Sequence, residues 1–175
     1  MEQRKVTAVL SGRKVCVQDL ASGQILLERG YGDKIGNSIE LAPYEALYLL
    51  AEGWLDVLDE ETGEKVAFKE LLDLYRSKDR RIWARYLIYR DLRERGYVVK
   101  SGFGLGVDFR VYERGTYGKE AAQYIVYGVF EGEPILVGDM AKALNYSSNL
   151  KKEMILGVIE RRGEIVYYSL SQFNP

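Results

Sequence analysis

The sequence predicts an α+β protein built of two modules, and three observations carry that prediction. Short runs such as VTAVL, KVCVQDL and VDFRVY have the alternating or β-branched pattern of half-buried strands. Apolar stripes at helical spacing recur within 43–54, 68–75 and 76–95. A polar stretch at 76–80 separates a first group of strands and helices from a second, sheet-rich group, and domain boundaries fall in such stretches. The expected domains are therefore residues 1–76 and 77–175. At 47% hydrophobic and 29% charged residues, the 175-residue chain has the composition of a core-forming protein.

From residue 5 to 28 the pattern reads as two or three short strands. VTAVL and KVCVQDL flank the turn cluster Ser11-Gly12-Arg13, and Ser22-Gly23 marks a turn before QILLE. The glycine-rich RGYGDKIGNS reads as a loop. Pro43 opens a helix with Ala46, Leu47, Leu49, Leu50 and Trp54 on its apolar stripe, and Gly53 ends it. Residues 55–66 suggest a hairpin around Glu60-Glu61-Thr62-Gly63, and 68–75 a helix with Leu71, Leu72 and Tyr75 inward. The clearest helical pattern covers 76–95, where Ile82, Tyr86, Tyr89 and Leu92 recur at helical spacing and Gly96 is a fitting terminator. Strands follow at 97–100, 107–112 and 123–127. Residues 129–137 read as a strand interrupted by Gly132 and Pro134, and 139–144 as a short helix. LKKEMILGVI reads as a further helix capped by Ser147-Ser148-Asn149, with Ile155 and Val158 inward. The turn Glu160-Arg161-Arg162-Gly163-Glu164 leads into a last strand, IVYYSL.

Histidine is absent, which excludes imidazole acid–base chemistry, His-dependent triads and His-ligated zinc. Cys16 stands alone, so there is no disulfide framework and no thiolate metal site, as fits a reducing cytoplasm. No apolar run approaches the roughly 20 residues that cross a bilayer, and MEQRKVTAVLSGRK lacks the apolar segment of a signal peptide. The net charge of −1 exerts no global pull on nucleic acid. Charge is unevenly spread, however: residues 76–100 carry nine basic side chains against three acidic ones. Part of this is a solvated helix face with i,i+4 pairs such as Asp91 to Arg95. An RNA-backbone surface is the sharper reading.

The stretch that organises the chain is 97–127, YVVKSGFGLGVDFRVYERGTYGKEAAQYIVY. Val107, Phe109 and Val111 alternate with Asp108, Arg110 and Tyr112, which directs Phe109 inward and Tyr112 outward with Asp108 and Arg110. A phenol on a rigid strand beside a charged loop has the setting of a reactive group, although in a chain with 14 tyrosines packing is the commoner role. Gly102-x-Gly104-x-Gly106 resembles a nucleotide loop, but a strand rather than a helix follows, which excludes a dinucleotide site. There is no Walker GK[ST] element and no EF-hand or paired-acid spacing, and Asp108 with Glu113 lacks the acid-x-lysine pair of a metal-dependent nuclease. Lys151 and Lys152 would open the last helix, where the macrodipole disfavours cations but suits a bound phosphate.

Taken together, YGDKIGNSIELAPYEALYLLAEGWLDV, YLIYRDLRERGYVVKSGFGLGVDFRVYERG and the ending EIVYYSL resemble the archaeal tRNA-splicing endonuclease (tRNA-intron endonuclease) family over nearly the whole chain. The resemblance implies a small N-terminal α+β domain followed by a C-terminal restriction-endonuclease-like nuclease domain with a mixed sheet. It also implies cleavage of precursor tRNA at bulge-helix-bulge intron junctions by metal-independent transesterification, giving 2′,3′-cyclic phosphate and 5′-hydroxyl ends. No cofactor is implied.

By this resemblance the family's tyrosine falls on Tyr112 and its lysine on Lys152, with Lys151 one residue away. Tyr112 would draw the proton from the attacking 2′-hydroxyl, for which a phenol of reference pKa about 10 needs a cationic neighbour. The lysine would stabilise the pentacoordinate phosphorane. The family's histidine, donor of the proton to the leaving 5′-oxygen, falls on Ala121 after Glu120, and alanine has no proton to give. Either the chain is a catalytic subunit deliberately inactivated at 121 or it is a natural subunit with an eroded site, and retention of Tyr112 and the lysine pair favours the first. The alternative is a noncatalytic structural subunit of a heterotetramer. Arg110, Arg114, Lys151 and Tyr167 are the RNA-binding candidates, Tyr167 by stacking on a base. Asn145, at the other bulge-binding position, carries no cation. The family's turn before the last strand is commonly acidic and inserts into a partner. Here it centres on Arg161-Arg162, which favours a second, acid-looped subunit over a homotetramer. The open edge of IVYYSL favours pairing into a dimer, then a tetramer.

Overall fold

A computed structural model describes residues 5–102 and 106–175, and in it the chain divides into two compact units, one up to Tyr86 and one from Leu87 onward. The described residues form five helices and ten strands, arranged as two five-stranded mixed sheets. This is the α+β class that the alternating and helical patterns predict. None of the helices is long and apolar enough to cross a membrane. Gly104, the centre of the glycine-rich motif, lies outside the described residues.

The first unit holds β1 (Val6–Ser11), β2 (Lys14–Val17), α1 (Leu20–Glu28), β3 (Asp33–Ile35), β4 (Ser38–Leu41), α2 (Pro43–Ala51), β5 (Leu55–Asp59) and α3 (Phe68–Arg76). Its sheet runs β3-β4-β2-β1-β5, with only the β1·β5 pair parallel. Three expectations are corrected here. QILLE is helical, not a strand, because Asp19 caps α1 by accepting from the N–H groups of Ala21 (3.1 Å) and Ser22 (3.3 Å). Gly23 marks no turn. A Cβ there would lie 2.5 Å from Cδ1 of Ile39, so the glycine lets α1 lie close on the sheet. The presumed loop RGYGDKIGNS contains β3 and enters β4 through a two-residue turn in which Gly36 takes φ 60°. Glu45 is buried in α2 and caps that helix, its carboxylate accepting from Ala42 N (2.8 Å) and Gly32 N (3.1 Å). Of the hairpin expected at 55–66, β5 forms and meets its return segment at a single bridge, Leu58↔Lys65.

The long helical pattern at 76–95 is interrupted: α3 ends at Arg76 and α4 (Ile82–Glu94) begins after a turn in which Asp79 accepts from Arg81 N at 2.9 Å. Arg76, Arg85 and Arg95 face Asp73 (3.8 Å), Asp79 (2.5 Å) and Asp91 (2.7 Å), which neutralises part of the basic excess. The second sheet is built from β6 (Val98–Ser101), β7 (Phe109–Tyr112), β8 (Tyr124–Phe130), β9 (Glu153–Ile159) and β10 (Ile165–Leu170), in the order β10-β9-β8-β7-β6. All pairs are antiparallel except β8·β9. A parallel pair needs a crossover, and α5 (Val137–Asn149) supplies it. That requirement overrides the local pattern of LKKEMILGVI, which is β9 rather than a capped helix; Ser147-Ser148-Asn149 form the last turn of α5 instead. Residues 131–136, expected as strand, form the turn before α5.

One face of this sheet meets α4 and the other α5. On the α4 face Phe109 packs against Tyr89 (ring centroids 6.1 Å apart) and Gly128 lies under Ile88. On the α5 face Val107, Ile125, Ala143 and Met154 form a buried cluster flanked by Met140 and Leu144. Phe109 points inward as expected. Asp108 does not point outward: it is 6% exposed and accepts from Gly128 N at 2.7 Å. The alternation begins only at Phe109.

Candidate active site at one end of the second sheet

Tyr112 ends β7, and Val111 pairs with Tyr124, so the next cross-strand position is Gln123. The ladder extends that far, because Gln123 N donates to Val111 O at 3.1 Å. On the other side Tyr124 lies beside Glu153, and Glu153 N donates to Gln123 O at 3.1 Å, which sets Lys152 beside Gln123. Tyr112, Gln123 and Lys152 therefore stand abreast on three neighbouring strands. Each is an odd step from the α4-facing residues Val111, Tyr124 and Glu153, so all three share the α5 face. Two strand spacings of about 4.8 Å separate the outer pair by about 10 Å at the backbone.

The Tyr112 hydroxyl accepts from Arg110 Nη1 at 3.4 Å, and Arg110 is itself held by donating Nε–H to Ser101 O at 2.8 Å. The cationic neighbour that a reactive phenol requires is thus two residues back on the same strand face. Tyr117, on the following loop, meets the Tyr112 ring edge-on at 5.1 Å. Lys100, buried and paired with Arg110 across β6·β7, adds a second cation to this face.

Position 121 lies at the end of the loop joining β7 to β8, where Ala121 is exposed and Ala122 buried. The loop is tied down along its length. Thr116 N and Oγ1 donate to Glu113 O (3.1 and 2.9 Å), and Lys119 N and Glu120 N donate to Thr116 O (both 2.9 Å). Glu113 N donates to Gln123 Oε1 (3.0 Å) and Gln123 Nε2 donates to Glu120 Oε2 (3.3 Å). The Tyr124 hydroxyl donates to Glu113 Oε1 at 2.8 Å, and this bond, with burial second, pushes the Tyr124 phenol up to about 12.

Lys152 reaches the same place from β9. Its ammonium donates to the carbonyl of Ala122, the residue after position 121. The chain arrives there through a Schellman turn at the end of α5, with Lys151 N bonding Ser148 O (2.9 Å) and Lys152 N bonding Ser147 O (2.8 Å). Lys151 takes the left-handed position of that turn, φ 54°, and is exposed. The two lysines therefore follow a helix C-terminus, where the macrodipole favours cations, and do not open a helix. A cleft of about 380 Å³ opens beside Lys152, lined also by Ser147, Ser169 and Gln172.

The remaining candidates lie apart. Arg114 is exposed on the loop after Tyr112. Tyr167, opposite Gly157, is on the α4 face; its hydroxyl donates to Asp91 Oδ2 (2.7 Å) and Arg95 covers its ring at 5.5 Å. Burial, then the Asp91 bond, raises its pKa far above the usual tyrosine range. Tyr168, 51% exposed, is the neighbour that faces the α5 side. Asn145 on α5 accepts from Gln172 Nε2 at 3.2 Å.

Residues 82–167 match the family model of the tRNA intron endonuclease catalytic C-terminal domain, and residues 6–72 that of its N-terminal domain. The chain is 35% identical to a tRNA-splicing endonuclease of Pyrococcus furiosus over 162 residues, 92% of each chain. The chain belongs to the tRNA intron endonuclease family. It is also 34% identical to a tRNA-splicing endonuclease of Pyrococcus abyssi over 92% of each chain, and 31% identical to one of Methanococcus maripaludis over 96% of this chain and 94% of that one. Within this family frame, Tyr112, Ala121 and Lys152 all fall inside the segment that matches the catalytic domain. Gln123, Lys100 and Tyr117 join them at the same end of the sheet, and no local motif marks any of the three. Strand register brings in Gln123 and Lys100, and the ring contact with Tyr112 brings in Tyr117.

Proposed function

We propose that this chain is a tRNA-splicing endonuclease subunit that acts on precursor tRNA at bulge-helix-bulge junctions and is inactivated at its general-acid position, Ala121. The observation that carries the reading is the row Tyr112, Gln123, Lys152, with residue 121 at the head of the middle strand. In the reaction Tyr112, entering as its phenolate, takes the proton of a ribose 2′-hydroxyl and becomes the neutral phenol, and the ribose oxygen attacks the adjacent phosphorus. The P–O5′ bond breaks, leaving a 2′,3′-cyclic phosphate and an alkoxide that must gain a proton. Arg110 donates a charge-assisted hydrogen bond to the phenol oxygen. The Lys152 ammonium, held on the Ala122 carbonyl, offsets the extra negative charge of the phosphorane. With alanine at 121 the 5′-oxygen takes its proton from water, and losing a general acid costs about 10²–10⁴ in rate. No step calls for a metal.

The test is cleavage of a bulge-helix-bulge RNA in EDTA. The Ala121→His variant is expected to cut about 10²–10⁴-fold faster than the parent chain and to leave cyclic phosphate ends. Tyr112→Phe or Lys152→Ala added to that variant is expected to remove most of the gain. If no variant cuts, alone or with an acid-looped partner subunit, the noncatalytic structural subunit, favoured by alanine at an exposed 121, becomes the better reading.

A further inference from the structure

Gln123 makes four hydrogen bonds, and each goes to a residue adjacent in sequence to one of the three proposed reacting positions. Its N–H donates to Val111 O (3.1 Å) and its side-chain carbonyl accepts from Glu113 N (3.0 Å), the residues on either side of Tyr112. Its side-chain NH₂ donates to the carboxylate of Glu120 (3.3 Å), the residue before position 121. Its main-chain carbonyl accepts from Glu153 N (3.1 Å), the residue after Lys152. The two backbone bonds belong to the sheet ladder and any residue supplies them. The two side-chain bonds are specific to an amide, which offers an acceptor and a donor at once.

We infer that Gln123 is a positioning residue whose side chain clamps the β7–β8 loop and sets position 121 against Tyr112, in the row that Lys152 completes through the sheet ladder. The inference rests on the reading of those three as the reaction centre. Glu113 opens the loop between β7 and β8 and Glu120 lies near its far end, just before position 121, so one amide bridges the two ends of the loop. Without it, position 121 is flanked by the Glu120 N–H bond to Thr116 O within the loop and by Ala122, the acceptor of the Lys152 ammonium. Misplacing a reacting group by about 1 Å costs about 100-fold in rate, so a clamp of this kind acts on kcat rather than on RNA affinity.

The test uses Gln123→Leu, which keeps the ladder and removes both side-chain bonds, and the exchange Glu120→Gln with Gln123→Glu, which reverses donor and acceptor and keeps the net charge. Amide order parameters are measured by NMR in the parent chain. Gln123→Leu is expected to loosen residues 113–121 while leaving β7 and β8 as they were, and the exchange to restore the loop. In the Ala121→His background, Gln123→Leu is expected to lower kcat about 10–100-fold at unchanged KM, and the exchange to recover most of it. Gln123→Glu alone is expected to be impaired at neutral pH and to recover as pH falls and the two carboxyls share a proton. An unaltered loop in Gln123→Leu overturns the clamp, as does a loosened loop with kcat unchanged. The loop measurement needs no cleavage, so an Ala121→His chain that cuts nothing counts against the proposed function and leaves the clamp to be judged on loop order.

Discussion

Lys151 is the only non-glycine among the described residues with left-handed backbone, φ 54°. Its position in the Schellman turn is the one that glycine usually fills, and a side chain there costs about 1–2 kcal/mol. Lys151→Gly is therefore expected to raise stability by about 1 kcal/mol, read as a higher Tm, with β9 and Lys152 in place. Retention of a strained lysine beside Lys152 accords with strain being kept where a site needs it. At this scale the sequence pattern was partly sufficient: Phe109 inward and Tyr112 outward follow from alternation. Asp108 did not follow, because its acceptor role toward Gly128 N depends on a strand 20 residues away.

Among the elements, the hydrophobic stripes of α2, α3 and α4 announced themselves, while α1, as long as α2 and α3, did not, because it buries only Gly23 and Leu26. Short apolar segments did not. QILLE and MILGVI are each compatible with helix or strand, and their states are exchanged relative to expectation by a cap at Asp19 and by parallel pairing with β8. The packing of α4 on the sheet depends on glycine. A Cβ at Gly128 would stand 2.2 Å from Cδ1 of Ile88, and one at Gly157 3.2 Å from it. Gly128→Ala is expected to destabilise by about 1–3 kcal/mol through overpacking. Ile88→Val alone costs about 0.5–1.5 kcal/mol. Combined, the two are expected to cost less than their sum, since the valine lacks the offending methyl; a double-mutant cycle by urea unfolding measures the difference.

At the scale of the whole molecule, β10 and β6 are the edges of the second sheet, and β10 carries Tyr168 half-exposed beside Leu170. An open apolar edge invites pairing with another strand. The chain is expected to be at least dimeric by light scattering at micromolar concentration, and Tyr168→Lys to shift it toward monomer. The sequence by itself determined the α+β class, the inward and outward faces of the 109–112 strand, the absence of imidazole chemistry and, through long motifs, the family. Those properties are local: they depend on residue type and on spacings within one element. Only the tertiary structure decided that Tyr112, Gln123 and Lys152 stand in one row, that Arg110 serves the phenol and that Tyr167 is taken up by Asp91 and Arg95. These depend on strand order and register between segments up to 76 residues apart, where a one-residue slip would turn every side chain to the other face.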